Sequence, residues 1–225
     1  MNLYVNGCSH THGTTISLNG NLNLAYPHIL SDYYNIDLVN DSVCGASNDE
    51  ILRTTIEAVL KSSTPFDKVV IQFTHLDRFE TTSIHKHNPR SMYRKPSFWN
   101  IKDTDPILTF YKKFFDRTSE MDKLLSHKLL NQMYMLECLF TEHAITDYRF
   151  IVWHPIDTTY ITYRHLNKSK IIFNADNLLN KEFKIHPEDQ HFGPDAHQRI
   201  AEWIIEGHSS LNDINEYNPL EHVYT

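Results

Sequence analysis

An α/β fold built on a parallel sheet is what this sequence predicts, and three observations predict it. Short apolar runs alternate with longer stretches of helical period, which is the pattern of β-α-β units. The strongest run, Val69-Val70-Ile71-Gln72-Phe73, is almost continuously apolar, as in a strand buried on both faces. Glycines are scarce, six in 225 residues, and Gly7, Gly45 and Gly193 all fall in loops between these segments. A chain of this length forms one substantial domain or two very small ones.

The elements follow in order. Residues 3–5 form a first strand, ended by Asn6-Gly7, and residues 36–39 a second. Residues 69–73 form the third, 150–153 the fourth and 171–173 a fifth. Ser47-Asn48-Asp49-Glu50 has the S-x-x-E form of a capping box, and it opens a helix with Leu52, Ile56, Val59 and Leu60 on one face. A longer helix runs from about Ser119 to Glu142, with Leu125, Leu129, Met133, Leu136 and Phe140 as its apolar stripe. Pro194 sits just inside a last helix, where its missing N–H costs nothing, and Ala196, Ile200, Trp203 and Ile204 form the buried stripe. Residues of about 83–118 fit neither period. They mix His85, Lys86, His87, Arg90, Arg94 and Lys95 with Tyr93, Phe98 and Trp99, and read as an insertion after the third strand, either a solvated basic loop or a substrate lid. The expected organisation is a single domain over residues 1–208 and a polar tail over 209–225.

Composition excludes several classes. A formal net charge of −7 argues against a nucleic-acid partner held by general phosphate attraction. No apolar run approaches the roughly 20 residues of a membrane-spanning helix. The first residues, Met1-Asn2-Leu3-Tyr4-Val5-Asn6-Gly7, are too polar for a signal peptide, and the three cysteines do not read as a disulfide framework. The expected location is the cytoplasm.

Ligands of open parallel sheets bind beyond the carboxyl ends of the strands. The segments there are Gly7-Cys8-Ser9-His10-Thr11, Asn40 through Asn48 with Gly45 among them, Thr74-His75-Leu76-Asp77-Arg78, His154-Pro155 and, near the end, Glu188-Asp189-Gln190-His191. Gly7-Cys8-Ser9-His10-Thr11 resembles the first block, G-D-S-x-[ST], of the SGNH (GDSL-type) hydrolases, with Cys8 where Asp is commoner. Gly45 matches that family's second-block glycine, and Asp189-Gln190-His191 resembles its D-x-x-H block. The ordered set spans residues 7–191. Val70-Ile71-Gln72-Phe73-Thr74 with Arg78-Phe79-Glu80 also looks like SGNH-like proteins encoded by bacteriophages.

The resemblance implies a three-layer α/β/α flavodoxin-like fold with a parallel five-stranded sheet. It implies a metal-independent, cofactor-free serine esterase with Ser9 as nucleophile, His191 as base and Asp189 as its orienting carboxylate, Glu188 being the reserve. The oxyanion would meet the N–H groups of Ser9 and Gly45 and the side chain of Thr74. The family's third block, G-x-N-D, is replaced here by Gln72-Phe73-Thr74-His75, so Thr74 stands where an oxyanion-binding Asn is usual. A shorter donor there means a slower enzyme, or one that recruits a water or His75. His75, Arg78 and His154 are the expected substrate-binding residues, and the expected substrate is a small acyl ester, O-acetyl on carbohydrate above all. An acyltransferase using the same triad and a non-catalytic carbohydrate-binding module of the same fold are the alternatives. Cys8, His10 and His12 also alternate in a pattern open to zinc ligation, but in a loop entering a helix such ligands converge poorly. Cys8 as a nucleophile at a helix N-terminus is the other rival. His197 reads as structural or exposed. Oligomeric state is not legible.

Overall fold

The computed structural model describes residues 1–14, 16, 20–76, 78, 81–82, 93–94, 119–175, 179, 183 and 191–208. Five parallel strands form the central sheet: β1 (Asn2–Asn6), β2 (Asp37–Asn40), β3 (Lys68–Phe73), β6 (Tyr148–Val152) and β7 (Ile171–Ile172). Their spatial order is β2-β1-β3-β6-β7, so the chain steps first to one side of β1 and then to the other. That reversal opens a crevice at the carboxyl ends of β1 and β3, where ligands of such sheets bind. A separate antiparallel pair joins β4 (Thr81–Thr82), just before the expected insertion, to β5 (Tyr93–Arg94) within it; the rest of the insertion lies outside the described residues, as does the expected tail.

Alternation along the strands builds two cores. Tyr4, Val69, Ile71, Phe73 and Phe150 point to one face of the sheet, where α3 (Asn48–Lys61) and α4 (Ser119–Glu142) cover them with Ile51, Val59, Leu129, Met133 and Phe140. Leu3, Val5, Val70, Ile151 and Ile172 point to the other, under Tyr26 and Leu30 of α2 (Tyr26–Tyr34) and Ala196, Ile200 and Trp203 of α6 (Pro194–Ile205). The short α5 (Ile161–His165) packs on α4. The result is the three-layer α/β/α arrangement. Each fully buried Leu, Ile or Phe in these cores contributes roughly 1.5–3 kcal/mol.

One local reading changes, and one helix is additional to those read from the sequence. Leu60 is 60% exposed, and α3 turns Asn48, Ile51, Thr55 and Val59 inward instead, with Leu52 and Ile56 at the margin. The cause is polar: Asn6 at the end of β1 donates to the Ile51 carbonyl and to the hydroxyls of Thr54 and Thr55, which fixes the helix's rotation. Second, α2 carries no strong apolar period, since only Tyr26, Pro27 and Leu30 are buried, and its place in the layer follows from packing on α6. Among the described residues no helix is long and apolar enough to cross a membrane.

Candidate active site

The segments after β1, β2, β3 and β6 meet the approach to the last helix in the crevice. The first begins where β1 stops. Gly7 has no room for a side chain: a Cβ there would lie 2.1 Å from the Thr11 hydroxyl oxygen and 3.0 Å from Cβ of Gln72. The close turn lets Cys8 cap a single helical turn, α1 (Ser9–His12), with Ser9 as its first residue. Thr11 accepts a hydrogen bond from the Tyr26 hydroxyl at 3.0 Å and donates to Gln72, which in turn reaches Cys8 Sγ at 3.8 Å. These buried bonds hold the turn from below. Cys8 is fully buried in the core under α3 and α4, so it is placed to pack and not to attack a ligand.

The second segment follows β2. Asp41 N–H donates to the Val5 carbonyl and Val43 N–H to the Gly7 carbonyl, each within 3.1 Å, so this loop is tied to the first. Gly45 then turns at φ +79, a left-handed conformation that glycine adopts without strain. Ser47 caps α3 by accepting the Glu50 N–H at 3.2 Å, half of the capping box read from the sequence. Asn48, the next residue, reaches across to β3: its side-chain oxygen accepts the Thr74 N–H at 2.8 Å and its amide donates to the Thr74 carbonyl at 3.3 Å.

Thr74 is 2% exposed, and its hydroxyl oxygen is buried with no hydrogen-bond partner among the described residues. His75 follows, its ring against that of His154 beyond β6, with centroids 3.9 Å apart and the two Nε2 atoms 3.2 Å apart. At that separation one nitrogen donates and the other accepts.

The last segment enters α6. Phe192 is buried against Trp153, edge to face at 5.8 Å, which anchors the residue before it. That residue, His191, lies with Nε2 2.8 Å from Ser9 Oγ, joining positions 182 apart in sequence. His10 completes the setting. Its ring packs 4.2 Å from that of Trp153 and 4.7 Å from that of His191. Burial first, and then the neighbouring His191, His197, His75 and Arg78, hold His10 well below the ordinary histidine pKa, so its ring is neutral. His197 is structural: it is 3% exposed, accepts the Tyr26 N–H on Nδ1, and burial lowers its pKa to about 4.

Of the residues singled out in the sequence, Ser9 and His191 are brought into contact, His75 and His154 form a pair, Gly45 stands in the loop bonded to Gly7, and Thr74 is bonded to Asn48. Asp189 and Glu188 lie outside the described residues. Cys8 and His10 point to opposite sides of the sheet, and among the described residues no group of three or more His, Cys, Asp or Glu is placed to hold a metal ion. Sequence reasoning missed Asn48 and the packing role of His10. The only signal for either was adjacency, to the helix cap and to Ser9.

No family model matches the sequence, and no curated protein matches it. Solved structures do. The psychrotrophic esterase EstA from Pseudoalteromonas sp. is similar with a TM-score of 0.51 at 10% identity, over 95% of this chain and 98% of that one. The acetyl xylan esterase AlAXEase is similar with a TM-score of 0.50 at 12% identity, over 92% and 98%. The acetyl xylan esterase Est2A from Butyrivibrio proteoclasticus gives 0.50 at 12%, over 96% of this chain and 65% of the longer partner. The protein therefore has the three-layer fold that the resemblance to the SGNH hydrolases implied, and shares it with solved esterases.

Proposed function

We propose that this protein is a serine esterase of SGNH type that cleaves small acyl esters, O-acetyl esters of carbohydrate above all. The observation that carries the reading is the 2.8 Å contact between His191 Nε2 and Ser9 Oγ in the crevice of the sheet. A serine hydroxyl attacks only when a base takes its proton, and an imidazole nitrogen at this distance is that base. In the mechanism, Ser9 Oγ bonds to the ester carbonyl carbon as its proton passes to His191. The tetrahedral intermediate collapses, His191 returns the proton to the leaving alcohol, and water then releases the acyl group from Ser9 by the same route. Asp189, with Glu188 in reserve, is the proposed partner of the second imidazole nitrogen.

The oxyanion is assigned to the N–H groups of Ser9 and Gly45 and the hydroxyl of Thr74. Support for Thr74 comes from its buried, unpartnered oxygen, and support for Gly45 from its open left-handed turn beside Gly7. The choice of O-acetyl substrates draws on the similar proteins named as acetyl xylan esterases. A fluorophosphonate probe tests the reading, its adduct located by peptide mass spectrometry. Ser9 is expected to be labelled, with labelling lost in Ser9→Ala and kept in Cys8→Ala. Ester turnover in Ser9→Ala should fall by about 10⁴–10⁶. A folded wild-type protein that takes no label would overturn the proposal.

A further inference from the structure

One buried nitrogen near this site has no partner among the described residues. Arg78 Nη1 is buried and makes no hydrogen bond among the described residues, and no described acidic residue forms an ion pair with Arg78. A guanidinium N–H kept from water without an acceptor is costly, and proteins retain one where an anion arrives to accept from it. Its position is defined by contacts: Arg78 N–H donates to the His75 carbonyl at 3.3 Å, and the His75 ring lies on that of His154. His154 follows Trp153, on which His10 packs, and His10 touches the His191 ring. These contacts and one peptide link join the Arg78 backbone to the reacting pair.

We propose that Arg78, which follows the His75–His154 pair in the crevice, recognises a carboxylate carried by the ester substrate. The inference rests on the esterase reading and names the class of ester: an anionic one. The planar guanidinium fork matches a carboxylate. The field of Arg78 at His10 agrees with a cation facing the site. The carboxylate sits either on the acyl group or on the alcohol, and the test separates the two sources.

Two substrate pairs serve. Mono-p-nitrophenyl succinate is compared with p-nitrophenyl butyrate, and O-acetylated galacturonate with O-acetylated galactose. Wild-type protein is expected to prefer the charged member of at least one pair, and in Arg78→Gln that preference in kcat/KM should fall by about 10–100-fold. Arg78→Lys should recover part of it, since it keeps the charge and loses the fork. A binding arm needs no turnover: succinate titrated calorimetrically into Ser9→Ala should bind, and into Ser9→Ala with Arg78→Gln should not. Hydrolysis of neutral esters without any charge preference overturns the carboxylate site and leaves the esterase standing. Arg78-dependent succinate binding in a protein that hydrolyses no ester keeps the site and overturns the esterase. Neither binding nor hydrolysis in folded protein overturns both.

Discussion

Below Ser9 and across from it, the protein treats buried polar groups in opposite ways. Under the Ser9 turn, Tyr26, Thr11 and Gln72 are joined in one hydrogen-bonded row, and Asn6 ties β1 to α3 while its oxygen accepts the Gly7 N–H. At the ends of β3 and beyond, Thr74 Oγ1 and Arg78 Nη1 are buried with no partner among the described residues. A satisfied network rigidifies what it holds, whereas an unsatisfied group is a standing cost unless something binds it. The lower side reads as scaffold that aims the serine. The other side reads as donors held for a substrate.

The contrast is broken most severely at Thr74. Thr74→Val keeps the shape and removes the hydroxyl, and should lower kcat by about 10²–10³ if that hydroxyl meets the oxyanion. Because no partner is lost, the melting temperature should stay level or rise. An unchanged kcat on a neutral aryl ester would remove Thr74 from the oxyanion site and return it to the core.

Acid attacks both sides through the histidines. The unfolded chain protonates His10 and His197 near pH 6.5, whereas the folded chain resists until a lower pH, about 4 for His197. The unfolded state therefore binds more protons in this window. The stability present above pH 6.5 is lost as pH falls toward 4, at up to about 1.4 kcal/mol per pH unit for each histidine. Urea midpoints between pH 7 and 5 measure it, and His10→Phe should flatten the slope by one proton's share. A flat profile in wild-type protein would mean that neither ring is held neutral.

The smallest effect expected is on the scaffold alone. Gly7→Ala places a methyl group 2.1 Å from the Thr11 oxygen, and overpacking of this kind costs roughly 1–3 kcal/mol. Adding Thr11→Ala should return part of that loss in a thermal melt. If Gly7→Ala alone is neutral, the turn is looser than its hydrogen bonds imply.

How far the sequence reveals this depends on whether a feature is periodic or positional. The sheet was legible because β3 is buried on all six residues and its apolar run shows it. The long helix was legible because five apolar residues recur at helical spacing from Leu125 to Phe140. By contrast α2 buries three residues in nine, one of them Pro27, and gives no period to read. Leu60 was misplaced because an apolar count cannot foresee that Asn6 draws Thr54 and Thr55 toward the sheet. At the site, Ser9 and His191 were legible from glycine-marked strand ends and the family resemblance. The stacking of His10 on Trp153 and the pairing of His75 with His154 were not, because strand order decides them and no local pattern encodes it.

The Asn48 side chain offers one carbonyl and one amide to the backbone of Thr74, as a neighbouring strand would. It acts as a surrogate peptide at a point where β3 has run past its neighbour. Two loops are thereby indexed to each other: whatever length lies between β2 and α3, Asn48 must arrive opposite Thr74.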